Sequence, residues 1–423
     1  MSGALRRVSP LARDLALLVA AFAVLRVLAV AGLGAHRFND TRSYFSFDLL
    51  GDRARLWTVP LLFKAMPGDP ARVAAQTAIG VVGWSALAVE SARALRNPAL
   101  ARAAAALVLL LGLTTAVTKW DLALLSESLV LSLTALGAAL MLWLARRGAS
   151  PALLGGLLGV VTLWTFTRYV SAVAVAALFP LAAAVVVWRL PRRTALPAVA
   201  FLLLLSAWAL YAVSREKFIW RANAYDLVVE RILRDPAATR YFEHRGLVVT
   251  PALRRASREH LPVLSPAFLD PRFQSWLYDR WRPAYRSYLL SHLPDTLWQP
   301  LRQTPDQAAK ELLYASPRRV LPRPAEDVLW TRPAPFLALA GGSLLLWLLS
   351  LLRGPPRPAE LVPWGLVVLG LVQAELVWNY AAKEMGRLYV PAGAALRLGF
   401  LLLALFALER GLRSGTSPDS SAG

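Results

Sequence analysis

Residues 119–130 read Lys-Trp-Asp-Leu-Ala-Leu-Leu-Ser-Glu-Ser-Leu-Val and lie between two long apolar runs. This stretch places a charged pair, Lys119 and Asp121, in front of the second run, and it places Glu127 just inside that run. A carboxylate inside a membrane span is costly, so its default interpretation is functional. The stretch therefore predicts a turn between two membrane spans, with a functional acidic group at its edge.

Further apolar runs make up most of the chain around this turn. The 423 residues are 57% hydrophobic and only 17% charged, which is a low charged fraction for a soluble protein. Several runs reach the roughly 20 residues that a helix needs to cross a bilayer. We therefore expect an all-α polytopic membrane protein. About ten spans are expected, at residues 15–33, 71–92, 100–117, 122–145, 152–166, 170–188, 196–213, 335–352, 361–381 and 388–408.

The composition divides the chain into four parts. A membrane domain at 1–213 includes a polar loop at 34–70, and a second membrane segment covers 333–410. Between them, residues 214–332 are rich in Arg, Pro, Trp and Tyr, and helix signals such as Thr250 before Pro251 predict a small, mostly helical domain. In that domain Asn223 is expected to cap a helix over 224–234. The tail at 411–423, rich in Ser and Gly, is expected to be disordered.

Charge gives the expected orientation. Arginines cluster in alternate short loops, and such loops favour the cytoplasm. This places both termini in the cytoplasm and places the loop at 34–70, the 119–121 turn, Arg168, the helical domain and the 383–387 turn outside. The same topology explains the net charge of +21, so nucleic acid is not an expected partner. The chain contains no cysteine, which excludes disulfides and thiolate sites.

The first candidate group follows the first span and reads Asn39-Asp40-Thr41-Arg42-Ser43-Tyr44. A carboxylate close to the membrane boundary can have its pKa tuned for base catalysis. The alternative is an ordinary loop aspartate that pairs with a neighbouring arginine.

The second candidate group is the pair Asp121 and Glu127, with Ser126 and Ser128 beside Glu127. Two carboxylates converge on one edge of the membrane, which favours function. The alternative is that Glu127 neutralises a buried arginine and only fixes helix packing.

The third candidate group lies between the last two spans and includes Lys383, Glu384 and Arg387. Arginine and lysine at a membrane boundary suit a phosphate headgroup, because Arg offers forked hydrogen bonds and Lys offers a point charge. Arg168, in a very short turn, is similar. The alternative is that these side chains reach along the span to interfacial water.

Together these features resemble the GT-C superfamily of membrane glycosyltransferases, which includes the protein O-mannosyltransferases and bacterial enzymes that glycosylate lipid A or the cell wall. The similarity rests on Asp40 in Asp-Thr-Arg-Ser-Tyr after the first span and on the acidic Leu-Ser-Glu-Ser-Leu at 125–129. It also rests on the long external segment and on the charged Glu-Met-Gly-Arg-Leu turn at 384–388 before the last span.

The resemblance implies inverting transfer of a hexosyl or pentosyl group from a polyprenyl-phosphate donor to a glycan, lipid or protein acceptor, at the outer face of a bacterial inner membrane. It implies Asp40 as general base. Asp121 and Glu127 would orient acceptor or sugar, or would join Asp40 in holding a divalent cation such as Mg²⁺ or Mn²⁺. Membrane lipids are further expected partners. The predicted set for substrate and lipid phosphate is Arg42, Tyr44, Lys119, Arg168, Lys383, Glu384 and Arg387.

Two other functions remain open from the sequence. One is a non-catalytic scaffold for envelope assembly, and the other is a transporter or flippase for lipid-linked glycans. A transporter predicts charges that line a path through the spans, whereas the acidic groups here gather at one face.

Overall fold

The structure is a computed structural model that describes residues 9–47, 49, 55–216, 218–309 and 316–413. In this part of the chain the regular structure is helical, and the one pair of bridged extended residues is His36 with Ala123. The predicted all-α class is confirmed. Of the predicted disordered tail, residues 414–423 lie outside the described residues, while residues 411–413 continue the last helix.

The membrane part consists of two blocks of helices. Before residue 216 these are α1 Pro10–Val30, α2 Thr58–Ala65, α3 Gly68–Ala94, α4 Pro98–Leu113, α5 Thr115–Leu122, α6 Glu127–Arg147, α7 Pro151–Thr165, α8 Tyr169–Arg189 and α9 Arg192–Arg215. The intervening segment contributes α10 Ile219–Glu230, α11 Pro236–Glu243, α12 Pro251–Glu259, α13 Pro266–Leu269, α14 Pro271–Trp276, α15 Arg282–Ser291, α16 Leu293–Ala309 and α17 Arg323–Glu326. The second membrane block is α18 Pro333–Leu351, α19 Leu361–Tyr380 and α20 Met385–Arg413.

This is a multi-pass membrane protein. Among the described residues, seven helices are long and apolar enough to cross a bilayer: α3, α6, α8, α9, α18, α19 and α20. The bent pair of α4 and α5 makes an eighth if it forms one span. The other two predicted spans stay predictions, because α1 contains Arg13, Asp14 and Arg26 and α7 has only 15 residues.

The break between α4 and α5 shapes the region that the opening stretch predicted as a turn. The two helix axes differ by 50°, and the carboxylate of Glu326 accepts a hydrogen bond from the Thr115 N–H at 3.0 Å. A carboxylate at a helix N-terminus satisfies a free donor and complements the helix dipole. The short helix α5 ends at Leu122, and residues 123–126 connect it irregularly to α6.

Close packing of α3 on α6 forms the centre of the membrane core. A Cβ at Gly83 would overlap the backbone carbonyl of Ser132, so only glycine permits this approach. On the same helix, a Cβ at Gly80 would overlap the guanidinium of Arg26. Both glycines therefore keep room at the middle of the bundle for an adjacent helix or a buried charge.

The helical domain has its own core, built mainly from α10 to α15. Trp276 and Trp281 are buried there, and the ring of Trp281 stacks on that of Tyr285 with centroids 4.5 Å apart. Thr250 caps α12 as predicted, because its side chain accepts a hydrogen bond from the Leu253 N–H at 3.3 Å. The cap predicted at Asn223 is wrong, since α10 begins at Ile219 and Asn223 lies inside it.

Helix α16 does not belong to that core. It packs against α18, α19 and α20, although it follows the domain helices directly in sequence. Within the segment predicted as one domain at 214–332, α16 therefore lies against the membrane helices and outside the core of the helical domain.

Candidate functional site

The loop after α1 is fastened to the connection between α5 and α6. The His36 N–H donates to the Leu122 carbonyl at 2.8 Å, and the Leu124 N–H donates to the His36 carbonyl at 3.1 Å. The Thr41 hydroxyl donates to the Leu124 carbonyl at 3.2 Å. These backbone contacts bring the first candidate group, around Asp40, against the second, around Glu127.

A 3-10 helix at Thr41–Phe45 continues this contact. It buries Tyr44, whose hydroxyl donates to the Ser126 hydroxyl at 3.4 Å, directly beside Glu127. The guanidinium of Arg55 lies 4.7 Å from the centre of the Tyr44 ring, within the range of a cation–π contact. Arg42 lies on the same short helix with its side chain exposed.

Arg387, in the first turn of α20, joins three carboxylates. Its Nη2 lies 3.2 Å from Asp40 Oδ2 and 3.0 Å from Glu384 Oε2, and its Nε lies 3.3 Å from Glu127 Oε1. Arg55 Nη2 is 3.0 Å from Asp40 Oδ2, and Arg168 Nη2 is 3.8 Å from Glu127 Oε1. We call these six side chains the Arg387 cluster: Asp40, Arg55, Glu127, Arg168, Glu384 and Arg387.

The cluster has an open side and a closed side. The side chains of Asp40 and Glu384 are 38% and 44% exposed, whereas those of Glu127 and Arg387 are 2% and 9% exposed. Three arginines balance three carboxylates within it. A ligand that approaches from the open side therefore meets Asp40 and Glu384 first, with the arginines behind them.

The pKa values of the two exposed carboxylates, Asp40 and Glu384, are shifted in opposite directions. Partial burial would raise the pKa of Asp40, but the guanidinium groups of Arg55 and Arg387 outweigh burial and hold it below its ordinary value. Burial raises the pKa of Glu384, and the adjacent Arg387 only partly offsets this effect. Asp40 is therefore the carboxylate that is reliably ionised at neutral pH and able to accept a hydrogen bond from a hydroxyl group.

Glu384 has an unusual backbone conformation. Its φ is +53°, in the left-handed region that non-glycine residues seldom occupy, at a cost on the order of 1–2 kcal/mol. The turn that contains it is held from the other side by the helical domain. Tyr285 donates its hydroxyl to the Asn379 carbonyl at 2.6 Å, and Lys383 Nζ lies 3.1 Å from Asp226 Oδ1.

Five predicted site residues lie outside the cluster as defined: Arg42 and Tyr44, on the adjacent 3-10 helix, and Lys383, Asp121 and Lys119. Lys383 faces the domain, as just described, and not the carboxylates around Arg387. Asp121 is fully buried, and its two carboxylate oxygens accept hydrogen bonds from Arg26 Nε at 2.9 Å and from Arg26 Nη2 at 3.0 Å. Lys119 is also buried, with its ammonium 5.2 Å from the Trp120 ring. The Asp121 carboxylate serves as the counter-ion of a fully buried arginine, so we assign it to structure.

Sequence reasoning missed Arg26 and Arg55. Arg26 stands inside the first apolar run, and a charge in that position predicts a buried partner. Arg55 lies in a polar loop with several other arginines, and no local pattern distinguishes it from them. Only the fold brings it to Asp40.

The acidic groups do not form a set suited to a divalent cation. Each carboxylate of the cluster pairs with an arginine, and Asp121 pairs with Arg26. Among the residues that the structure describes, no three side chains of His, Cys, Asp or Glu gather as metal ligands would. The predicted Mg²⁺ or Mn²⁺ site at Asp40, Asp121 and Glu127 therefore lacks a fitting donor set, and we derive no step from a metal.

Comparison with protein-family models gives no match, and comparison with curated proteins also gives none. Among solved structures, the chain is similar to the archaeal oligosaccharyltransferase AglB from Archaeoglobus fulgidus, determined in complex with an inhibitory peptide and a dolichol-phosphate. The TM-score is 0.41 and the identity 12%, over 95% of this chain and 52% of that one. The chain thus spans about half the length of AglB. A similarity at this TM-score and identity assigns neither activity nor substrate.

Proposed function

We propose that the protein is a membrane glycosyltransferase of the GT-C type. It transfers a hexosyl or pentosyl group from a polyprenyl-phosphate donor to an envelope acceptor at the outer face of the membrane. The observation that carries the proposal is the contact of one guanidinium, that of Arg387, with Asp40, Glu127 and Glu384 at one end of the membrane helices.

The position of the cluster suits a lipid-linked donor. Arg387 lies in the first turn of α20, and Arg168 directly precedes α8, so both guanidinium groups lie where a span begins. A donor whose polyprenyl tail lies beside the spans would present its phosphate at this level. Arginine binds phosphate by forked hydrogen bonds.

The orientation rests on the arginines at the other end of the spans. Helices α6, α8 and α20 each end in arginine, at Arg147, Arg189 and Arg413 respectively. Such clusters favour the cytoplasmic side. The Arg387 cluster and the helical domain, which lie at the opposite end, would then face outward.

The proposed reaction is a single displacement. An acceptor hydroxyl oxygen attacks the anomeric carbon, the bond from that carbon to the phosphate oxygen breaks, and polyprenyl phosphate leaves with the electron pair. The hydroxyl proton passes to the Asp40 carboxylate. Attack opposite to the leaving group inverts the anomeric configuration.

The arginines would act in two ways in this reaction. Arg387 and Arg168 stabilise the charge that develops on the departing phosphate, an electrostatic role. When a phosphate engages Arg387, that arginine binds Asp40 less closely, and this raises the pKa of Asp40 towards a value better suited to a base. Glu127 holds Arg387 and Arg168 in place.

The test uses the purified protein in liposomes with polyprenyl-phosphate hexose and polyprenyl-phosphate pentose, each labelled in the sugar, and an envelope extract as acceptor. The expected result is label in the acceptor fraction together with equimolar release of polyprenyl phosphate. Failure of every donor of this class to release polyprenyl phosphate, with folded protein present, would reject the proposal and favour the scaffold function.

A further inference from the structure

Arg397 is a second buried arginine of α20, well removed from the Arg387 cluster. Ten residues separate it from Arg387, which is about 15 Å along a helix. Its side chain is buried, with Arg397 only 3% exposed. It is placed among membrane helices, where a charged side chain is a functional-site hypothesis by default.

The partners of Arg397 are neutral. Its Nε donates to the Leu329 carbonyl at 2.9 Å, and its Nη2 donates to the Trp330 carbonyl at 2.7 Å. Its guanidinium carbon lies 4.5 Å from the Trp330 ring centre and 4.8 Å from that of Phe336. Within the described ranges no carboxylate is paired with it. A guanidinium has five N–H donors, and these carbonyls, with that of Gly393 at 3.2 Å from Nη1, engage three.

Other buried arginines in these helices have an acidic partner. Arg26 pairs with Asp121, Arg387 pairs with Glu127, and Arg410 pairs with Glu360. A buried charge without a counter-ion is expensive, because carbonyl dipoles replace only part of its hydration. Arg397 therefore differs from them in lacking a compensating anion within the described chain.

Arg397 also lines a cavity. The cavity has a volume of about 200 Å³ and lies between α4, α18, α20 and the π-helical turn at Asp327–Thr331. Among the described residues that line it, Arg397 is the only charged one, and the others include Leu111, Phe336 and Leu401. Val328, at the edge of the cavity, is 61% exposed, so the cavity reaches the surface of the protein.

The lining is poorly suited to water. An ordered water needs two to four polar partners, and cavities lined by Leu and Phe stay dry and take apolar ligands. An apolar wall with one uncompensated cation instead fits a molecule with an acidic group attached to an apolar chain. At this location the membrane itself supplies such molecules, as anionic lipids.

We propose that the Arg397 cavity binds an anionic lipid, whose acidic headgroup compensates Arg397 and whose upper chain lies against α4 and α18. The site is separate from the Arg387 cluster and does not depend on the proposed transfer reaction. The lipid acts as a structural ligand that supplies the missing counter-ion between α18 and α20.

The whole protein is purified in detergent and reconstituted in nanodiscs of two kinds, one containing phosphatidylglycerol and one made only of phosphatidylcholine. The test measures how much of each lipid the protein retains. Native mass spectrometry of the released protein counts bound lipids. The expected result is one phosphatidylglycerol retained per chain, with phosphatidylcholine retained roughly tenfold less, since hydrogen bonds to a charged group account for about such a factor. A fatty acid and inorganic phosphate are each added as competitors, to distinguish the phospholipid from other acidic ligands. Competition by phosphate alone would overturn the role of the lipid chain.

Two variants separate the binding site from folding. Arg397→Met removes the charge, and Leu401→Trp fills the cavity while it keeps Arg397; both are expected to lose the retained lipid. Arg189→Gln, at an exposed arginine on Trp188, is the matched control and keeps it. If Arg397→Met does not fold, Leu401→Trp decides. Retention of phosphatidylglycerol by a folded Arg397→Met or Leu401→Trp variant, or equal retention of both lipids by the wild type, would overturn the proposal.

Discussion

Arg387 Nη2 lies 3.2 Å from Asp40 Oδ2, although 347 residues separate the two along the chain. This ion pair joins the start of the last membrane helix to the loop that follows the first. The same guanidinium reaches the buried Glu127, so it connects an exposed carboxylate to a protected one. The chemistry proposed for the protein depends on this connection.

Replacement of Arg387 by Gln is expected to destabilise the protein. Glu127 would lose its closest cation while it stays buried and would keep only Arg168, at 3.8 Å, and removal of one partner from a buried ion pair costs about 3–5 kcal/mol. The double variant Arg387→Gln/Glu127→Gln is expected to recover part of the stability, because the buried carboxylate is removed together with its closest cation, although Arg168 loses its acidic partner. Transfer activity is not expected to recover. Thermal unfolding in detergent and the transfer assay measure the two effects. Recovery of transfer in the double variant would contradict the proposed role of Arg387.

Asp121→Asn is expected to act on stability and not on chemistry. The substitution leaves Arg26 without its counter-ion in the middle of the bundle, at a cost again of about 3–5 kcal/mol. Transfer per folded molecule should stay within about twofold of the wild type, well below the 10²-fold or greater effect of losing a general base. A loss of transfer with unchanged thermal unfolding would show that Asp121 acts in the reaction and not only in the structure.

Arg55→Gln is expected to shift the pH dependence of transfer. Arg55 lowers the pKa of Asp40, so its removal raises that pKa. A base acts only when ionised, hence activity falls as the pH falls through the pKa of Asp40. The acid limb of kcat/KM in the wild type should lie below about 3.9, the ordinary value for Asp, and should move to higher pH in the variant.

The control for this shift is Arg37→Gln, which removes an exposed arginine that pairs with Asp69. Its acid limb should coincide with that of the wild type. If the limbs of Arg55→Gln and Arg37→Gln coincide, Asp40 is not the group that titrates.

Lys383→Met is expected to loosen the turn between α19 and α20. Lys383 ties this turn to Asp226 in the helical domain, and Asp226 is a largely buried carboxylate whose pKa burial already raises. Hydrogen exchange at residues 378–384 should become faster, while Lys64→Met, at an exposed lysine near Phe47, should leave it unchanged. Equal exchange in the two variants would show that the domain does not hold the turn.

Much of the membrane architecture follows from local sequence. Apolar runs predicted helices over α3, α6, α8 and α9, because a run of about 20 apolar residues has few alternatives in a bilayer. The sequence also placed Glu127 just inside the span predicted at 122–145, although α6 begins only at Glu127. The contact of Asp40 with Arg387 could not be predicted, since neither short segment contains a pattern that shows how α20 packs against the rest of the bundle.

Two differences between expectation and structure have identifiable causes. Asn223 was expected to cap a helix, but the carboxylate of Glu216 accepts hydrogen bonds from the N–H groups of Phe218 and Ile219, each at 2.6 Å, and so starts α10 earlier. Lys383 was expected to bind lipid phosphate, but the domain supplies it with acidic partners. In both places an acidic side chain outside the local motif, Glu216 or Asp226, makes the contact that the motif alone did not indicate.

The central claim is that Asp40 accepts the proton of the acceptor hydroxyl, and Asp40→Asn tests it most directly. Asp14→Asn is a matched control, because Asp14 has a similar exposure of 33% and also pairs with an arginine, Arg102, at 2.7 Å. Transfer from a polyprenyl-phosphate sugar should fall by at least about 10²-fold in Asp40→Asn, with binding of the donor and thermal unfolding close to those of the wild type, and should be unchanged in Asp14→Asn. Equal transfer by the two variants would contradict the account.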